Sequence, residues 1–179
     1  MGKAMESLNY QEINVIEIAR DILYFPKILT PEQCEALISL AVTNGFEFSP
    51  THNQKFKSGD FHVEDKKELV SILQPRLDAA SHYWGCKLLT ISELFVNQFP
   101  WKGMDGICPH HDDPDNIVSG SLKLNDSYTG GALTFPRQNF DTSVLNVGDL
   151  ILWPSNVTHI HFAPPVISGI KHNLTVWSY

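Results

Sequence analysis

The sequence predicts an α+β fold: helices in the first half, then an antiparallel β-sandwich or barrel. Two observations carry this. The first half holds two stretches with apolar residues at helical spacing. From residue 88 onward, short β-branched and aromatic runs alternate with Gly, Pro, Asn and Asp, as in an all-β core. A length of 179 residues suits one domain with an ordinary core. The expected division is a single domain over 1–179, with 1–87 as strand and helical support and 88–179 as the β core that carries the chemistry. The helices should pack on one sheet.

The elements follow in order. Residues 15–25 are apolar and partly alternating, and read as one strand with irregular edges. Thr30 is a good N-cap, Pro31 suits the first helical position and Gln33 completes a capping box. Cys34, Leu37, Ile38, Ala41 and Val42 then form one apolar stripe, and Gly45 can end the helix in a left-handed cap. Residues 49–61 read as a polar loop. A second helical region spans about 64–84, with Pro75 expected to kink it or divide it into two abutting helices. Strands are expected at 88–98, 107–112, 119–124, 131–135, 143–146, 149–153, 157–162 and 173–178.

Composition excludes several classes. Lysine plus arginine number 13 against 20 acidic residues, a net charge of −7 with no basic run. No nucleic-acid partner is expected from such a chain. Polar residues at 1–14 read as no signal peptide, and no apolar run is long enough for a membrane span. The three cysteines, Cys34, Cys86 and Cys108, are scattered without CxxC spacing, which points to a reducing, cytoplasmic setting. Asn-x-Ser/Thr triplets at Asn125, Asn156 and Asn173 then read as chance matches. No Ser-His-Asp elbow or Walker motif is present, and Gly130-Gly131 reads as a hairpin turn because no helix follows it.

The chemistry lies in the histidines. Four of the eight sit in two tight pairs, His110/His111 and His159/His161. The first pair runs into Asp112 and Asp113. On a strand, residues i and i+2 share a side, so His110 with Asp112 and His111 with Asp113 are two competing registers. A histidine from a later strand would complete two imidazoles and one carboxylate. That set covers one face of an octahedral metal and leaves adjacent positions open, as in non-haem Fe(II) oxygenases. Taken alone, a His-His-Asp-Asp run before Pro114 is as readily a polar surface turn.

The motifs "PHHD" at 109–112, "LNDSYTGGALTFP" at 124–136, "VGDLILWPS" at 147–155 and "HFAPPVISGIK" at 161–171 occur in this order. Together with the helix "LTPEQCEALISLA", they resemble the prolyl 4-hydroxylase-like branch of the 2-oxoglutarate- and Fe(II)-dependent dioxygenases. The resemblance implies a double-stranded β-helix (jelly-roll) core with the N-terminal helices packed on one sheet. It makes His110, Asp112 and His161 the iron ligands, and Lys171 the partner of the distal carboxylate of 2-oxoglutarate. A buried dianion needs a fixed cation, which agrees. A tyrosine that the family often carries before its first ligand is replaced here by Phe99 and then Trp101. The implied cofactors are Fe(II) and 2-oxoglutarate, with ascorbate as an accessory candidate. The implied partners are molecular oxygen and a peptide or small-molecule substrate.

The remaining histidines have blander readings. His159 reads as support or core, His172 as outward-facing, and His82 as packed beside Tyr83 and Trp84. His52 and His62 read as surface residues near the loop. Phe135, Trp153 and Trp177 read as barrel core. The function the sequence points to is hydroxylation of a peptidyl, prolyl-like side chain, with release of succinate and CO2. With an Asp at 112, hydroxylation is favoured over halogenation. The alternatives are a non-catalytic cupin-like binding module, a hydroxylase of a free small molecule and, third, a zinc hydrolase on the same triad.

Overall fold

The computed structural model describes residues 13–48, 58–112 and 114–179. The first elements among the described residues are β1 (Ile16–Ala19) and β2 (Ile22–Phe25), a hairpin paired antiparallel. A single strand over 15–25 was expected. Asp21 instead takes a left-handed φ of 55° at a turn, and its N–H donates to Glu17 Oε1 at 2.8 Å.

Helix α1 (Pro31–Asn44) carries the expected capping box: Gln33 N donates to Thr30 Oγ1 and Thr30 N to Gln33 Oε1. Cys34, Leu37 and Ala41 are buried, but Val42, expected on the same stripe, is exposed. Gly45 ends the helix at φ 86°, ψ 160°, so it is not the left-handed helical cap. Its N–H still closes on Ala41 O at 2.9 Å.

Strand β4 (Gly59–His62), paired with β3 (Glu47–Phe48), begins within the stretch 49–61 that was expected to be a loop. Tertiary pairing makes them strands, with Asp60 opposite Asn97 in the adjoining sheet. Helix α2 (Lys67–Tyr83) runs unbroken across Pro75 rather than dividing there.

The second half supplies β5 (Ile91–Phe99), β6 (Ile107–His110), β7 (Val118–Lys123), β8 (Tyr128–Gly130), β9 (Thr134–Phe135) and β10 (Phe140–Asp141). After them come β11 (Leu150–Pro154), β12 (His161–Ala163), β13 (Val166–Gly169) and β14 (Lys171–Ser178). The strand expected at 143–146 is a 3-10 turn over Thr142–Val144, capped by Asp141 through Ser143 N. Gly130-Gly131 does not join adjacent strands, because β8 pairs with β13.

Among the described residues the strands form three antiparallel sheets. The largest has the order β1-β2-β11-β7-β14-β5-β4-β3, the second β10-β9-β12-β6, and the third is the pair β13-β8. Alternation divides the large sheet into two faces. Leu94, Val96, Leu122, Leu150, Leu152, Leu174 and Val176 form one buried cluster with Cys34 and Leu37 of α1 and Leu73 and Leu77 of α2. Each such side chain contributes about 1.5–3 kcal/mol when fully buried. On the opposite face, Ile22, Ile151 and Trp153 pack with Phe135 and Leu145 in a second cluster. Beyond that cluster this face is open and lines a cavity. No helix among the described residues is long and apolar enough to cross a membrane.

Candidate functional site

Strand pairing builds the centre of the site. β12 lies antiparallel to β6 with His161 directly opposite His110, and their rings stand 4.3 Å apart. Asp112 sits two residues past His110, beyond the end of β6. Its Oδ2 is 3.7 Å from His161 Nε2, and both side chains are under one-tenth exposed. One ligand atom from each of His110, Asp112 and His161 falls within 4.8 Å of the other two. Donors on one face of an octahedral ion at about 2.1 Å lie about 3 Å apart, so the three side chains draw together when they share an ion.

The backbone sets the tautomers. His110 Nδ1 lies 2.9 Å from Cys108 O, and His161 Nδ1 lies 2.9 Å from His159 O. A carbonyl can only accept, so each Nδ1 carries the proton and the lone pair of the neutral ring is on Nε2. Phe135 and Trp153 pack against the His161 ring, each 5.3 Å away. Burial holds the His161 imidazole below its ordinary pKa, opposed by the charge of Asp112. The neutral form is the one that binds a metal. Asp112 Oδ2 is buried without any hydrogen-bond partner. A carboxylate oxygen in that position is costly unless a cation completes it. Two imidazole nitrogens, this oxygen and an octahedral ion of borderline softness suit one another, so the donor set fits Fe(II).

A cavity of about 320 Å³ opens from this cluster. Along β14, Lys171, Asn173, Thr175 and Trp177 line it, and from β5 come Phe95, Asn97 and Phe99. Lys171 is buried and its Nζ donates to Gly131 O at 2.7 Å. Gly131 stands at φ +66°, and a Cβ there would meet Val166 Cγ2 at 2.6 Å. Burial, and secondly the charge of Lys123, lower the Lys171 ammonium to about 8. The Phe99 ring lies 5.7 Å from Nζ, where the sequence has no tyrosine.

One wall of the cavity was not foreseen. Asn97 Nδ2 donates to Asp60 Oδ1 at 2.7 Å, and Ser58 Oγ donates to the same oxygen. Asn97 Oδ1 accepts from Asn173 Nδ2 at 3.0 Å and Thr175 Oγ1 at 2.5 Å. The alternation of β5 and β14 carried a signal for Asn97 and Asn173. Ser58 and Asp60 gave none, because their stretch reads as loop.

Other sequence expectations resolve differently. His111 lines the same cavity but is exposed, with Nε2 3.1 Å from Val157 O. Asp113 and His52 lie outside the described residues. His159 is buried, bonded to Thr158 Oγ1 and Arg20 O, and apart from the ligand cluster. His172 does face away from Lys171, but it is buried rather than outward, with Nε2 3.1 Å from Gln98 Oε1. His82 is exposed rather than packed, since the last turn of α2 turns that side to solvent. Trp153 and Trp177 belong to the cavity wall as well as to aromatic clusters.

In sequence, no protein-family model and no curated protein matches the chain. In structure it is similar to the viral collagen prolyl hydroxylase of Paramecium Bursaria Chlorella virus-1, solved as a 2OG complex. The TM-score is 0.69 at 16% identity, covering 89% of this chain and 96% of that one. The chain has the fold of a prolyl hydroxylase. A prolyl-4-hydroxylase of Pseudomonas putida shares this fold at TM-score 0.66 and 19% identity, over 88% of this chain and 91% of that one. A Trichoplax adhaerens prolyl hydroxylase, solved with a hypoxia inducible factor peptide fragment, shares it at TM-score 0.64 and 18% identity, over 89% and 83%. At these identities the likeness to the prolyl hydroxylases is one of fold.

Proposed function

We propose that this protein is a 2-oxoglutarate- and Fe(II)-dependent dioxygenase of the prolyl 4-hydroxylase-like kind, hydroxylating a peptidyl, prolyl-like side chain with release of succinate and CO2. The observation that carries this is the buried, unbonded Asp112 Oδ2 facing His161 Nε2 in a cavity that also holds the buried Lys171. In this reading the three sheets are a double-stranded β-helix (jelly-roll) within one domain over 1–179, and the helices brace its large sheet.

His110, Asp112 and His161 would hold the iron on one face. The carbonyls of Cys108 and His159 keep both imidazoles turned for that task. Asp112 lowers the net charge of the site. Bound Fe(II) would supply the redox chemistry that couples molecular oxygen to decarboxylation of 2-oxoglutarate and hydroxylation of a C–H bond. Lys171 would take the distal carboxylate of 2-oxoglutarate and so fix its length and orientation. Phe135 and Trp153 exclude water behind His161. Phe95 and Trp177, edge-to-face at 4.9 Å, give the cavity an apolar wall suited to a prolyl ring. Ascorbate would act only as an accessory reductant.

That a structural neighbour is a prolyl hydroxylase carrying a peptide supports the peptidyl reading. The buried polar wall of Ser58, Asp60 and Asn97 favours a second reading, hydroxylation of a free small molecule. The deciding experiment measures succinate release with Fe(II), screening proline-containing peptides, free amino acids and small metabolites. Absence of the weak visible charge-transfer band on anaerobic addition of Fe(II) and 2-oxoglutarate to folded protein would instead favour a non-catalytic, cupin-like module.

A further inference from the structure

Behind Lys171 a small void of about 10 Å³ adjoins the main cavity, the two being walled in common by Ser121, Lys171 and Asn173. Its far side is formed by Lys123, Tyr128 and Thr142. Lys123 reaches it because β7 pairs with β14 and Lys123 stands directly opposite Asn173, the next residue after Lys171 on the cavity side of β14. Its Nζ donates to Leu145 O at 2.8 Å, while Lys171 Nζ donates to Gly131 O. An ammonium has three donors, so each of these single bonds leaves donors for a ligand.

Two ammonium groups facing one buried space repel each other. Burial and then the charge of Lys123 hold the Lys171 ammonium well below its ordinary pKa. Such a pair is unfavourable unless an anion lies with it. The void is the size of one water, and equally of one carboxylate oxygen.

We propose that Lys123 is a second cation of the cosubstrate subsite, sharing the distal carboxylate of 2-oxoglutarate with Lys171. The carboxylate would sit beside Ser121, Lys171 and Asn173, which wall both spaces. This rests on the dioxygenase reading and adds a residue that sets selectivity for a diacid over a monoacid.

The test is binding, not turnover. Calorimetry on the Mn(II)-loaded full chain compares 2-oxoglutarate with 2-oxopentanoate, which has a methyl group in place of the distal carboxylate. Lys123→Met is expected to weaken 2-oxoglutarate about tenfold, the scale of one charge-assisted hydrogen bond, and to change 2-oxopentanoate less than about twofold. Lys123→Gln, which keeps a donor for Leu145 O without the charge, should give the same pattern and serves if the methionine variant folds poorly. Lys171→Ala should retain part of the preference for the diacid, and the double variant should lose it. Equal loss for both ligands, or no loss for either, would overturn the assignment and make Lys123 a strut for Leu145. Wild-type protein that binds Mn(II) but no 2-oxoglutarate would remove the dioxygenase reading itself, and this inference with it.

Discussion

The two faces of the large sheet are built by the same strands and do different work. On β14, Leu174 and Val176 are buried against the helices, while Lys171, Asn173, Thr175 and Trp177 line the cavity. On β5, Leu94 and Val96 face the helices, and Phe95, Asn97 and Phe99 face the cavity. The helix face is uniformly apolar, so its contribution is burial. The cavity face places a buried ammonium and a five-member polar network where apolar residues would be more stable. Adjacent residues on one strand should therefore fail in opposite ways.

The largest effect is expected at Asp112. Asp112→Ala should weaken metal binding by at least about 100-fold and abolish succinate formation, since two imidazoles alone hold Fe(II) weakly. The metal-free protein should unfold no earlier than wild type, because the variant removes a buried carboxylate oxygen without a partner. Metal titration with thermal unfolding checks both halves. A fall in metal-free stability would place Asp112 in the scaffold instead.

Next is Leu174, fully buried on the helix face. Leu174→Ala should cost about 2–5 kcal/mol of stability, measured by denaturant unfolding. Among molecules that remain folded, metal affinity should be that of wild type. A selective loss of metal binding would blur the division between the two faces.

Lys171→Ala should weaken 2-oxoglutarate binding by roughly ten- to a hundredfold, with Lys171→Arg partly tolerated. The pH dependence follows from the same group. The free-protein ammonium sits at about 8, and a bound dianion raises that value. Binding above it must therefore take up a proton. Affinity should fall by up to about tenfold per pH unit above pH 8 and level off below it. Calorimetry across that range, with 2-oxopentanoate as the ligand lacking the slope, measures it.

The smallest effect is expected beside Leu174. Thr175→Val removes one donor to Asn97 Oδ1, which keeps its bond from Asn173. Stability should change by about 1 kcal/mol or less. Unfolding as severe as that of Leu174→Ala would show that the polar wall holds the fold as well as shaping the cavity.

Much of this was legible before the structure. The capping box at Thr30 and Gln33 is a local hydrogen-bond pattern, written by two residues three positions apart. The placement of Lys171 opposite to His172 follows from strand alternation. The exposure of His172 did not follow, because Gln98 and Phe46, which cover it, come from distant segments. Pro75 was expected to kink helix α2 or divide it, and the helix does not divide there. The stretch holding Asp60 looked like loop because its pairing partner, Asn97, is far along the chain.

By itself the sequence determined what is local or periodic: the capped start of α1, the alternation of the later strands, and the two histidine pairs, the first running into Asp112 and Asp113. The tertiary structure alone decided which of these meet. The pairing of β6 with β12 sets His161 opposite His110 and turns Asp112, already past the strand end, toward it. The pairing of β7 with β14 brings Lys123 beside the void behind Lys171. The physical reason is that strand register is a non-local choice, made by burying one apolar face of the sheet against the helices. Whatever alternates with that face is carried into the cavity.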